Sequence, residues 1–137
     1  MSEENVEVVR RVFDATARRD STAVLALYDP EVELDLSRTS LAALLGGRGL
    51  YRGREGLRSM FGDWYEAFED YEQRCEELID AGDQVITVVA GRGRGRASRT
   101  DVEMAFFIVW KVQEGKAVRL VWYATRAEAL EAAGLPE

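Results

Sequence analysis

The sequence predicts an α+β chain with helices first and an antiparallel sheet last. Three observations carry this. Apolar residues near the N-terminus recur at steps of three and four, the helical period. The second half reads as four strands joined by three short polar connections, so consecutive strands pair antiparallel. The strand Val102 to Val112 is apolar on both faces through its middle and so needs a covering layer on each side. A length of 137 residues suits one domain, with residues 1–137 forming a single unit, and neither an internal repeat nor a linker is visible.

The elements follow in order. Ser2 is placed to cap a first helix whose opening turn holds Glu3 and Glu4, and Val6, Val9, Phe13 and Ala17 form its apolar stripe up to Arg18-Arg19. Asp20 or Ser21 caps a short second helix carrying Ala23, Val24, Leu25, Leu27 and Tyr28, which Asp29-Pro30 ends. From Glu31 to Leu36 the residues alternate, with Val32, Leu34 and Leu36 on one side and Glu31, Glu33 and Asp35 on the other, which predicts a half-buried strand. Residues Ser37 to Gly53 form a connection or flap, with about a turn of helix at Leu41 to Leu45. A third long helix runs from about Arg54 to Phe68 with Leu57, Met60, Phe61, Trp64 and Phe68 on one face. The strands are Tyr71 to Ile79, Gln84 to about Arg96, Val102 to Val112 and Ala117 to Ala124. Arg126 to Ala133 closes the chain as a helix ended by Gly134 and Leu135-Pro136.

Composition removes several classes of function. Apolar residues at 47% and charged residues at 31% describe a folded globular chain. The longest apolar run, Met104 to Trp110, has seven residues against the roughly 20 a membrane helix needs, so no membrane partner is expected. The acidic start Met1-Ser2-Glu3-Glu4 does not read as a secretory signal, and the cytoplasm is the expected compartment. One cysteine, Cys75, forms no internal disulfide and no cysteine-cluster metal site, and its plain role is a small strand residue. A net charge of −7 repels phosphate backbones, so no nucleic-acid partner is expected. The absence of histidine removes Ser/His and Cys/His nucleophile pairs and histidine-based metal sites, and neither a metal nor a cofactor is expected. Small neutral or apolar molecules are the better ligands.

Several motifs in combination go further. They are Leu27-Tyr28-Asp29-Pro30-Glu31-Val32 entering the first strand, Tyr51-x-Gly53-x-Glu55-Gly56-Leu57 opening the third helix with Trp64 seven positions on, Asp80-Ala81-Gly82-Asp83 at a hairpin, and Gly115-Lys116 before a strand ending near Tyr123, then Arg126-Ala127-Glu128-Ala129-Leu130. In this the chain resembles the nuclear-transport-factor-2-like superfamily, and within it the SnoaL-like, ketosteroid-isomerase-like branch, over nearly its whole length. The resemblance implies a curved antiparallel sheet wrapped around the N-terminal helices, a cone-shaped, cystatin-like α+β roll around a hydrophobic pocket. It does not select a reaction, because the branch holds polyketide cyclases, isomerase-like proteins, hydrolases and pocket proteins without a known reaction.

Carried over residue by residue, the branch's proton-shuttling carboxylate on the first strand falls on Asp35. Its two oxyanion donors fall near Val12 and Phe107, which donate no hydrogen bond, so half of the steroid-isomerising machinery is missing. The same register implies a pocket lined by Met60, Trp64, Val88, Ala90, Phe107, Val109, Leu120 and Trp122, with Trp110, Val121 and Tyr123 on the opposite face. It also turns Arg92 inward, where it would neighbour Asp35 or hold an anionic ligand group.

Plain alternatives stand beside these roles. Asp35 shares its strand face with Glu31 and Glu33, and such a face is often simply solvated. The run Gly91-Arg92-Gly93-Arg94-Gly95-Arg96 lies between two strands, without the strand-to-helix step of a phosphate loop, and also reads as an arginine-studded hairpin end. Packing alone explains most of the aromatic residues. Two functions remain open: an enzyme acting on an apolar or polycyclic ligand by carboxylate-assisted proton transfer through Asp35 and Arg92, or a non-catalytic pocket or dimerisation module. An epoxide-opening hydrolase is a lesser variant, because its Asp-Arg-Asp relay has only those two obvious members. A homodimer through the outer sheet face is expected, since an exposed apolar patch would otherwise remain.

Overall fold

A computed structural model describes residues 2–136, with side chains from Glu3 onward, and the expected cap by the Ser2 side chain lies outside what is described. The elements are α1 (Ser2–Ala17), α2 (Ser21–Ala26), β1 (Tyr28–Asp35), α3 (Leu41–Leu44), β2 (Leu50–Arg52), α4 (Gly53–Ala67), β3 (Phe68–Asp80), β4 (Gln84–Gly95), β5 (Asp101–Gln113), β6 (Lys116–Tyr123) and α5 (Arg126–Ala132). The six strands make one open, curved sheet in the order β2-β1-β6-β5-β4-β3. Of the two capping residues open for α2, Asp20 takes the role, its carboxylate accepting from Ala23 N at 3.1 Å.

Two features depart from the pattern of alternating residues. The sheet is mixed: β1 runs parallel to β6, because the whole meander and α4 intervene between them. The expected connection after β1 also contains β2, whose three residues pair antiparallel with Glu33 to Asp35. So short a strand leaves no readable alternation.

The inner face of the sheet is covered by α1 and α4, and the main core lies between them. Val9, Val12, Leu57 and Met60 from the helices meet Val32, Leu34, Leu36, Val85, Val89, Phe106, Ile108, Trp110, Leu120 and Trp122 from the strands. Burial of this apolar surface is the main term holding the fold, at roughly 25 cal/mol per Å² removed from water.

A second cluster sits on the outer face, where Ala129 and Leu130 of α5 cover Ile86 and Val109. The covering layer expected for the outer side of β5 is therefore supplied at this end by the chain's own last helix. Thr125 fixes its start with a capping box: its hydroxyl accepts from Glu128 N, and the Glu128 carboxylate accepts from Thr125 N. Arg126 adds a two-pronged contact to Glu77 of β3, at 2.7 and 3.0 Å.

Candidate functional site

Sheet register decides which side chains reach the interior. On β5, Phe106, Ile108 and Trp110 join the inner core, whereas Phe107 and Val109 pack in the outer cluster beneath α5. On β4, Val85 and Val89 face inward and Ile86 outward, so Val88, Ala90 and Arg92 alternate to the outer side. This corrects the inward placement of Val88, Ala90, Arg92, Phe107 and Val109, and the outward placement of Trp110. The physical reason is the two-residue side-chain period: both strands are apolar on alternate positions of each face, and a shift of one residue exchanges the faces. Met60, Trp64, Leu120 and Trp122 do lie with the inner core, and Val121 and Tyr123 lie on the outer side.

Asp35 and Arg92 are not brought together. Leu34 and Leu36 are buried in the inner core, and Asp35 between them alternates to the outer side in register with Val121. It is half-buried there, and its carboxylate accepts from the Ser37 amide at 2.9 Å and the Ser37 hydroxyl at 2.5 Å, a local turn after the strand. Arg92 is exposed and pairs with Glu72 of β3 at 3.2 Å. The row through Asp35 crosses β4 at Ile86, and Arg92 lies six residues farther along, a separation on the order of 20 Å. Ala90 and Arg92, with Glu72, Arg74, Glu103 and Ala105, instead line an open trough of about 550 Å³ on the outer face.

The interior beside α4 is aromatic. Trp64 of α4 stands edge-on to Tyr71 of β3, with centroids 5.5 Å apart, and to Phe106 of β5 at 5.9 Å; Phe68 closes the group at 6.2 Å from Trp64. A β-bulge between Glu69 and Glu72, with Asp70 at φ 53°, lets Tyr71 fold across β4. Gly91 and Gly93 make that possible, since a Cβ at Gly91 would run into the Tyr71 hydroxyl and one at Gly93 would stand 3.2 Å from its ring. The Gly/Arg alternation thus has a structural meaning: glycine inward beneath a ring, arginine outward in ion pairs. Burial pushes the Tyr71 phenol well above its ordinary value, so it stays a neutral group that donates to Gln73 at 3.0 Å.

The polar features of this interior are few. Trp110 donates its indole N–H to Thr87 at 2.9 Å. The indole nitrogens of Trp64 and Trp122 are both buried, and neither makes a hydrogen bond of standard geometry; Trp64 lies close enough to the Tyr71 hydroxyl to oppose the effect of burial on that phenol. On the other flank of α4, Tyr51 is buried against the core and donates to Asp63 at 2.7 Å. Burial first, and the bond to Asp63 second, push the Tyr51 phenol up to about 12, while Arg48, 5.6 Å from the ring centroid, acts in the opposite direction. The contacts that Tyr51, Asp63, Tyr71 and Phe106 make were not legible in the sequence. Tyr51 stood inside a recognised motif, but its partner is 12 positions away and only helix packing joins them. Among the described residues, no group of three or more histidine, cysteine, aspartate or glutamate side chains is arranged to hold a metal ion.

Two helices and a long helix packed inside an open curved sheet, with an aromatic interior, define the nuclear-transport-factor-2-like class of fold. The SnoaL-like domain family matches residues 9–120, and the chain belongs to that family. Its fold is similar to an NTF2-like protein of Burkholderia thailandensis E264, at 27% identity over 96% of this chain and 97% of that one, with a TM-score of 0.74. It is also similar to a SnoaL-like polyketide cyclase from Jannaschia sp. CCS1 (18% identity, 98% and 94% of the chains, TM-score 0.72). A third similar structure is TerC co-crystallized with polyporic acid (19% identity, 96% and 98% of the chains, TM-score 0.76). No curated protein matches the chain.

Proposed function

We propose that this SnoaL-like protein binds a small apolar, ring-containing molecule between α4 and the inner face of the sheet. The observation that carries this is the group Trp64, Tyr71 and Phe106, three rings in edge contact where Trp64 is half-buried and Phe106 is buried at 3% exposure. Such a wall presents flat apolar surface with one edge reachable from outside. The SnoaL-like polyketide cyclase and the TerC structure with polyporic acid favour ring-containing ligands, by likeness of fold. The test is tryptophan emission on titration with ring compounds. Quenching that Trp64→Ala weakens supports the site, and emission unmoved by any of them refutes it.

A catalytic form of this reading is favoured by one contact, the 2.7 Å hydrogen bond from Tyr51 to Asp63. Asp63 is a carboxylate on the α4 flank, held in place by a buried phenol, and it takes the proton-transfer role that the resemblance assigned to Asp35. Asp35 and Arg92, both outward, fit neither that role nor an epoxide-opening relay. Loss of turnover in Asp63→Asn with ligand binding retained would establish the enzyme; the non-catalytic alternative expects binding alone.

The reading also includes a homodimer through the outer face and a cytoplasmic setting. Val88 and Ala90 remain half-buried beside the α5 cluster that Phe107 joins, next to the Glu72–Arg92 pair, and a second copy covers them. The lone cysteine agrees with a reducing compartment. No helix among the described residues is long and apolar enough to cross a membrane.

A further inference from the structure

The large apolar side chains left exposed among the described residues are Leu44, Leu50, Phe61 and Tyr65, and two of them share a helix face. On α4, Phe61 at 39% exposure and Tyr65 at 72% stand one turn apart. Arg54 and Arg58 precede them, and positions 54, 58, 61 and 65 advance by four, three and four, which places them on one stripe. All four are exposed, while Leu57, Met60 and Trp64 turn toward the core.

Folding does not account for this stripe. Arg54 and Arg58 are like charges at a spacing of four, which opposes the helix, and neither has a carboxylate within 4.0 Å among the described residues. Phe61 and Tyr65 leave ring surface in water that burial would remove. Gly62 lies beside them, exposed in mid-helix, with open space where a Cβ would stand. A glycine there weakens the helix and fills no packing need, but its bare backbone lets the helix come close to a flat surface.

Charge is segregated to the same region. Between Asp35 and Asp63 the chain carries five arginines, Arg38, Arg48, Arg52, Arg54 and Arg58, against one acid, Glu55, within a net charge of −7. An anionic partner is attracted to this side and repelled by the rest, which orients the molecule on it.

The form of the stripe selects the partner. A polypeptide anchors large side chains in pockets, and the two troughs described, on the outer sheet face and beside the start of α1, contain none of these residues. A single-stranded nucleic acid stacks its bases on ring faces. One face of Tyr65 is already occupied by the Arg96 guanidinium, 4.9 Å from the ring centroid, whose Nε donates to the Tyr65 carbonyl at 2.8 Å. Protruding rings and guanidiniums suit a bilayer surface, where aromatic side chains settle at headgroup depth and cations meet phosphate. Such docking needs no spanning helix.

We propose that the α4 stripe of Arg54, Arg58, Phe61 and Tyr65 docks the protein on an anionic phospholipid bilayer, the two rings entering the interface and the two guanidiniums pairing with headgroup phosphates. This role is separate from the interior ligand and does not depend on it.

Cosedimentation of the intact protein with large unilamellar vesicles tests it. Vesicles of phosphatidylcholine with about 30% phosphatidylglycerol are expected to bind the protein at low salt, and vesicles of phosphatidylcholine alone are not. Sodium chloride at about 0.5 M should release it. Binding should fall about tenfold or more in the double variant Arg54→Gln, Arg58→Gln, and by a similar factor in Phe61→Ser with Tyr65→Ser. Labelled polyglutamate and oligothymidylate in the same buffer are expected to stay unbound. No binding to the anionic vesicles, equal binding to both kinds, or binding unmoved in both double variants would overturn the proposal. Tighter binding of polyglutamate or oligothymidylate than of the vesicles would overturn it in favour of an acidic polypeptide or a nucleic acid. The comparison of lipids on the unaltered protein does not depend on any variant folding.

Discussion

Trp110 on β5 and Thr87 on β4 are diagonal neighbours on the inner face of the sheet, and the indole N–H donates to the hydroxyl at 2.9 Å. Thr87 is fully buried, so its hydroxyl is there for this bond rather than for water. Replacing it with valine keeps the shape and orphans the indole. Thr87→Val is therefore expected to destabilise the protein by about 1–3 kcal/mol, read as a lower urea midpoint with an unchanged denaturant slope. A variant as stable as the original would mean that the bond contributes nothing net.

Gly91 and Tyr71 give a second prediction. A methyl group at Gly91 collides with the Tyr71 ring, which is itself packed against Trp64 and Phe68. Gly91→Ala should cost about 1–3 kcal/mol of stability and shift tryptophan emission, since the ring must move into its aromatic neighbours. In Gly91→Ala with Tyr71→Ala the added cost of the alanine at 91 should nearly vanish. A cycle with no coupling between the two positions would refute the contact.

The ion pair of Glu77 with Arg126 makes the seating of α5 sensitive to acid. Hydrogen bonds from Arg126 hold the Glu77 carboxyl below the ordinary glutamate range in the folded protein, so the unfolded chain takes up the proton first as pH falls. The stabilisation is present above the unfolded value and is lost as pH falls through the folded one. Thermal midpoints measured from pH 6 downward should drop below about pH 4.5 more steeply for the unaltered chain than for Glu77→Gln. Identical profiles would show that the pair does not hold the helix.

Tyr51 acts at the other end of the scale. Burial and the bond to Asp63 raise its phenol to about 12, so between the unfolded value near 10 and that figure the unfolded chain releases the proton and the folded one keeps it. Stability from this group is full below about pH 10 and declines as pH rises through the folded value. Tyr51→Phe should flatten part of the alkaline decline of the urea midpoint. An unaltered decline would place the cause in other tyrosines.

The proposed dimer is tested on the outer face. Phe107→Glu puts a charge where β5 is half-buried beside Val88 and Ala90, and it should turn a dimer into a monomer in light scattering at micromolar concentration while far-ultraviolet circular dichroism is preserved. A monomer before substitution would remove the interface from the reading.

By itself the sequence determined the order of elements, the helix faces and the hairpins. Leu57, Met60 and Trp64 repeat at the helical period, Asp80 to Asp83 and Gln113 to Lys116 carry turn residues, and local backbone preferences act within a few positions. It also determined the family through motifs spread along the chain. Only the tertiary structure decided which face of β4 and β5 looks inward, because both faces of those strands are apolar and alternation cannot rank two apolar sides. It likewise decided that α5 covers Ile86 and Val109, that Asp35 turns outward between Leu34 and Leu36, and that Tyr51 finds Asp63. Each of these depends on contacts between segments far apart in the chain. Their energy comes from packing the whole sheet against its helices, and no local stretch of residues contains it.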